Sequence, residues 1–285
     1  MGETLFEGNS KVALIDADTV VYAVASVKEY PEDLLSQDFY SDEEWEKLIS
    51  EPTYDEQEHC IWRIDIEEAT QMCVDKIEYI KERADCSTAE LYFTSGKNFR
   101  YAVDPMYKAN RKNSRYPVGM MALKKELLSR YPGEICTEIE ADDAVVYLKR
   151  TQPDKYVLCA VDKDVYKSVA GDHFNYYTSA KYKIPMKWVE TTKEDAEAFP
   201  YLQTLMGDST DNIRGCPGIG PKKAEKALAK CKTSLERWEI VVKLFEQKKL
   251  TVKDAIRDMR LVNMHQVTKD KETKWVVNFW IPPTV

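Results

Sequence analysis

The chain has 285 residues, of which 44% are hydrophobic, 11% aromatic and 32% charged, a balance that excludes disordered, collagenous and membrane-spanning classes. Forty-one basic against 49 acidic residues give a formal net charge of −8, which taken alone speaks against a nucleic-acid partner. The length suits one large α/β domain or two smaller ones, and the expectation is a soluble globular protein.

The longest apolar run, Val20 to Ala25, is far shorter than the ~18 residues of a bilayer span, and the N-terminus lacks a basic-then-apolar signal pattern. A cytoplasmic location, with no membrane partner, is therefore expected. The seven cysteines are scattered without a C-x-x-C pair, as in a protein of reduced, buried thiols.

In chain order, Lys11 to Ile15 is a short apolar run closing on Asp16, and Glu90 to Thr94, Ile135 to Ile139 and Tyr156 to Val161 are further candidate buried strands. Helical patterns lie between them at 66–84, 120–130 and 141–150. Alternating strands and helices predict an α/β fold with a mostly parallel sheet covered by helices. After about residue 201 short helices and a Gly-rich turn take over, so the expected organisation is a catalytic unit over 1–200, a helical subdomain over 201–260 and a tail over 261–285. The tail's Lys274 to Ile281 is either a strand or a packed segment.

The charge is unevenly spread. From Glu29 to Glu78, seventeen acidic residues face three basic ones, a balance of −14, and the stretch at about 29–60 reads as an insertion or mobile loop. From Lys97 to Lys125 the balance is +7, and from Arg214 to Lys232 it is +5. Two basic islands suit a phosphate backbone better than a point anion. Arg100, Lys108, Arg111 and Lys112 in the first island, and Lys222 and Lys223 in the second, are the candidate contacts to such a backbone.

Ligands of open α/β sheets bind beyond the carboxyl ends of the strands, and acidic residues collect at those positions. Asp16 follows the first strand, while Glu140, Asp142 and Asp143 open a helix. Asp162 and Asp164 follow the strand at 156–161, their i, i+2 spacing placing both on one face of an extended chain. Asp208 and Asp211 are three apart and share a face of any helical turn. Two like charges 4 Å apart repel by about 4 kcal/mol at an effective dielectric near 20, so such crowding calls for divalent cations. Oxygen-only donors favour Mg2+ or Mn2+, and two ions can activate water and stabilise the leaving oxygen of a phosphodiester. The turn at Gly218 and Gly220 leads into a basic helix whose first N–H groups can hold a phosphate.

These residues carry a likeness. Leu14-Ile-Asp16, Tyr107-Lys-Ala-Asn-Arg111, Glu140-Ala-Asp-Asp143, Asp162-Lys-Asp164, Gly207-Asp-Ser-Thr-Asp-Asn212 and Gly218-Ile-Gly220 resemble the 5′-nuclease family of flap endonucleases and 5′→3′ exonucleases, especially its bacteriophage members, over roughly residues 11–230. The resemblance implies a PIN-like α/β domain with an arch, here about 97–118, and a helix–hairpin–helix module. It implies two-metal hydrolysis of phosphodiesters near the 5′ end, flap or nick of DNA. Asp16, Glu140, Asp142 and Asp143 would serve the first ion, and Asp162, Asp164, Asp208 and Asp211 the second. Lys108 and Arg111 would act on the scissile phosphate with Asp162 as a further catalytic group. Gly218 and Gly220 would grip the duplex with help from K+. Tyr22 is either a core tyrosine or a base-stacking residue.

The chain departs from the family where Thr94 follows Phe93, a position that usually carries Asp. On this reading a first metal site that is weaker, leans on waters or prefers manganese is expected, and Thr94→Asp is expected to raise magnesium affinity. The other readings are a structure-specific nucleic-acid-binding protein with weakened catalysis and a PIN-type ribonuclease. The resemblance leaves RNA–DNA hybrids open as substrates, a monomer as the state and replication proteins as partners.

Overall fold

The computed structural model describes residues 10–111, 115–179 and 181–284. Its elements are β1 (Val12–Asp16), α1 (Asp18–Lys28), β2 (Tyr30–Asp33), α2 (Asp42–Ile49), β3 (Tyr54–Asp55), β4 (Cys60–Arg63), α3 (Ile66–Arg83), β5 (Thr88–Asn98), α4 (Arg100–Val103), α5 (Met120–Leu128), β6 (Gly133–Glu138), α6 (Ala141–Thr151), β7 (Tyr156–Cys159) and α7 (Lys163–Lys167). There follow β8 (Gly171–Asn175), β9 (Lys187–Thr191), α8 (Lys193–Met206), α9 (Pro221–Leu228), α10 (Ser234–Gln247), α11 (Val252–Val262), β10 (Val267–Lys269) and β11 (Trp275–Val277).

Six strands form the central sheet in the order β6-β5-β1-β7-β8-β9, parallel throughout except for β9 at the edge. The expected mostly parallel α/β fold is therefore present. β1 lies between β5 and β7, which is why its five residues are all apolar or buried. Its alternation divides the core between the two faces of the sheet. Ala13 and Ile15 pack with Val21 of α1, Ile77 of α3 and Leu123 of α5. Val12 and Leu14 pack with Val145 of α6, Val165 of α7 and Val267 of the C-terminal hairpin. Because every strand but β9 points the same way, the carboxyl ends of β1, β5, β6 and β7 meet at one edge.

Two segments differ from expectation, while the C-terminal one is both a strand and a packed segment. The acidic stretch is a folded unit: β2, β4 and β3 form a small antiparallel sheet, and α2 starts with a capping box between Ser41 and Glu44. Cys60 and Ile61 bury its inner side, and Arg63 pairs with Glu32 and Glu51. Strands give way to helices at Lys193 rather than at about 201, since the Thr192 hydroxyl accepts from the Asp195 N–H and caps α8 there. Tyr201 and Leu205 of α8 then join Trp238, Phe245 and Met259 in a separate core. β11 pairs with β10, and the end of the chain returns to the helices through Trp280, 4.8 Å from Trp238 between ring centroids. Among the described residues no helix is long and apolar enough to cross a membrane.

Candidate active site

The sheet edge opens into a cleft of about 1340 Å³. Seven of the eight expected carboxylates line it: Asp16, Glu140, Asp142, Asp162, Asp164, Asp208 and Asp211. Each is brought there by its local backbone. β1 delivers Asp16, and Glu140 stands at the N-cap of α6, whose first turn carries Asp142. Asp162 caps α7, its Oδ1 accepting the Asp164 N–H at 2.8 Å. The chain therefore turns into a helix between these two, rather than staying extended, because the carboxylate satisfies an N–H that the helix start leaves open.

Asp208 and Asp211 sit on a tight loop closed by reciprocal bonds between the backbones of Asp208 and Ile213, at 2.9 and 2.7 Å. Gly207 and Gly215, at φ +68° and +64°, cross beneath it, and a Cβ on Gly215 would stand 2.3 Å from the Gly207 nitrogen. Both the left-handed backbone and the close approach require glycine.

Arg100 and Asp143 depart from their expected roles. The Arg100 guanidinium is 2% exposed and donates to both oxygens of Asp143 at 2.7 Å, and the Asp143 Oδ2 also accepts the Glu140 N–H. Arg100 thus lies inside the protein instead of at a DNA surface. Asp143 neutralises it and holds the start of α6, with both oxygens engaged away from the cleft. Lys112 lies outside the described residues.

The segment 107–111 closes over the carboxylates through a polar network. The Lys108 ammonium pairs with Glu140 at 2.5 Å and stands 3.6 Å from Asp211, while Arg111 pairs with Asp211 at 2.5 Å. The Tyr107 hydroxyl bridges Asp211 at 2.8 Å and Glu140 at 3.1 Å, and the Asn98 amide donates to Glu140 at 2.9 Å. Lys108 has a left-handed backbone, φ +53°, fixed by its N–H on the Asp211 carbonyl. Neither Asn98 nor the bridging role of Tyr107 carries a signal in the sequence beyond the Tyr107-Lys108 motif itself.

The charges divide the cleft into two halves. On the Lys108 side, Arg100 and Lys108 hold Glu140 below the usual carboxylate range against the burial that opposes them, and Glu140 and Asp211 raise Lys108 despite its burial. On the sheet side, burial and then the Asp18 carboxylate push Asp16 up to about 7, and burial with Asp16 and Glu140 lifts Asp142 well above its ordinary value. Burial and Asp162 bring Asp164 to about 6. Asp16 and Asp142 meet through their carboxyls. This half holds oxygen donors and surplus negative charge with too few internal cations, the donor chemistry that suits a hard divalent ion. Among the described residues no three acidic, His or Cys side chains are already drawn together tightly enough to enclose one. The donors fit a divalent ion by their chemistry.

At the other basic island, Gly220 is the N-cap of α9 with Pro221 at its first position, and Gly218 has φ +76° with open space where a Cβ would be. Lys222 is exposed, and the Lys223 ammonium rests on the Gly218 carbonyl at 2.9 Å. Tyr22, 46% exposed, lines the cleft and is not a core residue. Asp18 and Lys124 also line the cleft; the i, i+2 rule that selects Asp162 and Asp164 would have found Asp18 beside Asp16.

No family model matches the chain. It is 32% identical over 142 residues to a 5′-3′ exonuclease of Buchnera aphidicola subsp. Schizaphis graminum, covering 47% of this chain and 49% of that protein. It is 30% identical over 90 residues to the flap endonuclease of Escherichia phage T5, covering 30% and 31%. The chain thus spans half or less of the length of these curated relatives. In structure it superposes on the bacteriophage T5 flap endonuclease in its complex with DNA and metal ions, with a TM-score of 0.53 at 21% identity, over 68% of this chain and 80% of that one. The resemblance to 5′-nucleases carried by the motifs therefore extends to sequence relatives of that kind and to their PIN-like fold.

Proposed function

We propose that the protein is a divalent-metal-dependent, structure-specific 5′-nuclease that hydrolyses phosphodiesters near the 5′ ends, nicks or flaps of DNA. The observation that carries this reading is the convergence of seven carboxylates beneath Lys108 and Arg111 in one open cleft. Asp16, Glu140 and Asp142 would hold one Mg2+ or Mn2+ ion, and Asp162, Asp164, Asp208 and Asp211 a second. When bound, the ions supply Lewis acidity that makes water nucleophilic near neutral pH and offsets charge on the phosphodiester.

The chain's own groups do the rest. Lys108 and Arg111 bring positive charge to the cleft where negative charge grows on the phosphate in the transition state. Asp211 and Glu140 hold both side chains in place beforehand, so little reorganisation is needed as the reaction proceeds. The exposed Tyr22 offers a stacking face to a base beside the scissile bond. The N–H groups at Gly220 and the start of α9, with Lys222, would hold a duplex phosphate without reading sequence. Lys223, already on the Gly218 carbonyl, would share that turn with K+ if K+ binds there. The reading includes RNA–DNA hybrids as substrates, a monomeric protein, a role beside replication proteins and a cytoplasmic setting.

The test is cleavage of a 5′-flap duplex carrying a 3′ label, with Mg2+, Mn2+ or EDTA, resolved by product length. Cuts at the flap junction or stepping in from the 5′ end, absent in EDTA, are expected. Binding without cleavage in either metal would overturn the nuclease reading.

A further inference from the structure

The floor of the cleft is built from the carboxyl ends of four adjacent strands, and three supply carboxylates directly. β1 ends in Asp16, β7 leads to Asp162, and β6 leads to Glu140 and Asp142. β5, which lies between β6 and β1, reaches the cleft through Thr94, Gly96 and Asn98 and supplies none. The Thr94 hydroxyl is engaged instead, accepting the Ala141 N–H at 2.9 Å.

A carboxylate nevertheless stands in front of β5. Asp18, at the first position of α1, accepts the Thr94 N–H on Oδ2 at 2.8 Å. Its Oδ1 lies 2.6 Å from the ammonium of Lys124, which is itself anchored on the Thr94 carbonyl at 2.7 Å. Asp18 is thus clamped to the backbone of the residue that lacks a charge, two residues from Asp16, with a nearly buried lysine as counter-ion. A carboxylate on a rigid helix start, oriented by a backbone N–H, is preorganised in the way metal-site carboxylates are.

We infer that Asp18 supplies the carboxylate that position 94 lacks, serving the divalent ion held by Asp16 and Asp142, with Lys124 keeping it in place before the ion arrives. The inference rests on the nuclease reading of the cleft. It also reverses the expectation for Thr94→Asp: in the otherwise unchanged protein the added charge would meet Asp18 and gain nothing.

Calorimetric titration of Mn2+ into the DNA-free full chain tests it. Asp18→Asn is expected to weaken Mn2+ binding by about ten-fold or more, as loss of a ligand or its orienting partner does, with circular dichroism unchanged. Thr94→Asp is expected to restore the affinity in the Asp18→Asn background and to add nothing alone. Asp18→Asn titrating like the wild type, no restoration by Thr94→Asp, or a gain from Thr94→Asp alone would overturn the inference. If Asp18→Asn fails to fold, the Asp18→Asn, Thr94→Asp double variant decides, by binding Mn2+ at the wild-type affinity or not. Binding lost in Asp16→Asn but kept in Asp18→Asn would remove this inference alone. A wild type that takes up no Mn2+ would remove the nuclease reading along with it.

Discussion

Arg100 and Asp143 face each other through two 2.7 Å bonds, with the arginine 2% and the aspartate 0% exposed. The Arg100 Nε also donates to the Leu261 carbonyl at 2.8 Å. One pair thus fastens the start of α4 to the start of α6 and to the end of α11. Removing one partner of a buried pair leaves the other charge uncompensated, at a cost of about 3–5 kcal/mol. Arg100→Ala should therefore lower the urea midpoint sharply. Its DNA affinity, measured where the variant is still folded, should keep the wild-type salt dependence. A stable variant with a shallower salt slope would return Arg100 to the DNA surface.

Lys108 is expected to matter more for rate than for binding. Lys108→Ala should reduce single-turnover cleavage by about 10²-fold or more, the usual scale for a group that stabilises developing charge, while the dissociation constant for flap DNA changes by only a few fold. Equal losses in both would assign Lys108 a binding role only.

The sheet-side carboxylates make the metal-free protein sensitive to pH. Asp16 has a folded value of about 7 against an ordinary 3.8, chiefly through burial. Between these values the folded state binds more protons than the unfolded state, so stability falls as pH rises through the window and levels off above about 7. In EDTA, the melting temperature of the wild type should fall relative to that of Asp16→Asn between pH 5 and pH 7.5. Parallel curves for the two proteins would contradict the burial of a charged Asp16.

The loop of Asp208 and Asp211 depends on the crossing of Gly207 and Gly215. Gly215→Ala places a Cβ 2.3 Å from the Gly207 nitrogen, a backbone clash that no side-chain rotation relieves. A loss of about 2–3 kcal/mol in thermal or urea unfolding is expected. A variant as stable as the wild type would mean that the loop has room to shift.

Much of the site could be read from the sequence because the sheet is parallel and buried. Runs such as Val12 to Ile15 and Tyr156 to Cys159 are continuously apolar, and the acidic residues that follow them fall at one edge by topology. β8 and β9 escaped this reading, since they are short, lie toward the sheet margin and mix charged with aromatic residues in a weak alternation. Folding of the acidic stretch was legible only in retrospect, through Ser41-x-x-Glu44 and the buried Cys60-Ile61. The pairing of Arg100 with Asp143 could not be read, because it joins residues 43 apart that each look functional on their own. Asp18 was within reach of the spacing rule applied to Asp162, but the missing charge at Thr94 that gives it meaning emerges only when the two meet in space.

The central claim is that the carboxylate cleft performs metal-dependent cleavage. Its most direct test is single-turnover cleavage of a 5′-flap duplex by the wild type and by Asp162→Asn, in Mg2+ and in EDTA, with DNA affinity measured on the same samples. Cleavage by the wild type in Mg2+ only, a loss of at least about 10²-fold in the variant and nearly unchanged DNA binding are the results predicted. Wild-type turnover by Asp162→Asn, or cleavage that persists in EDTA, would contradict the account.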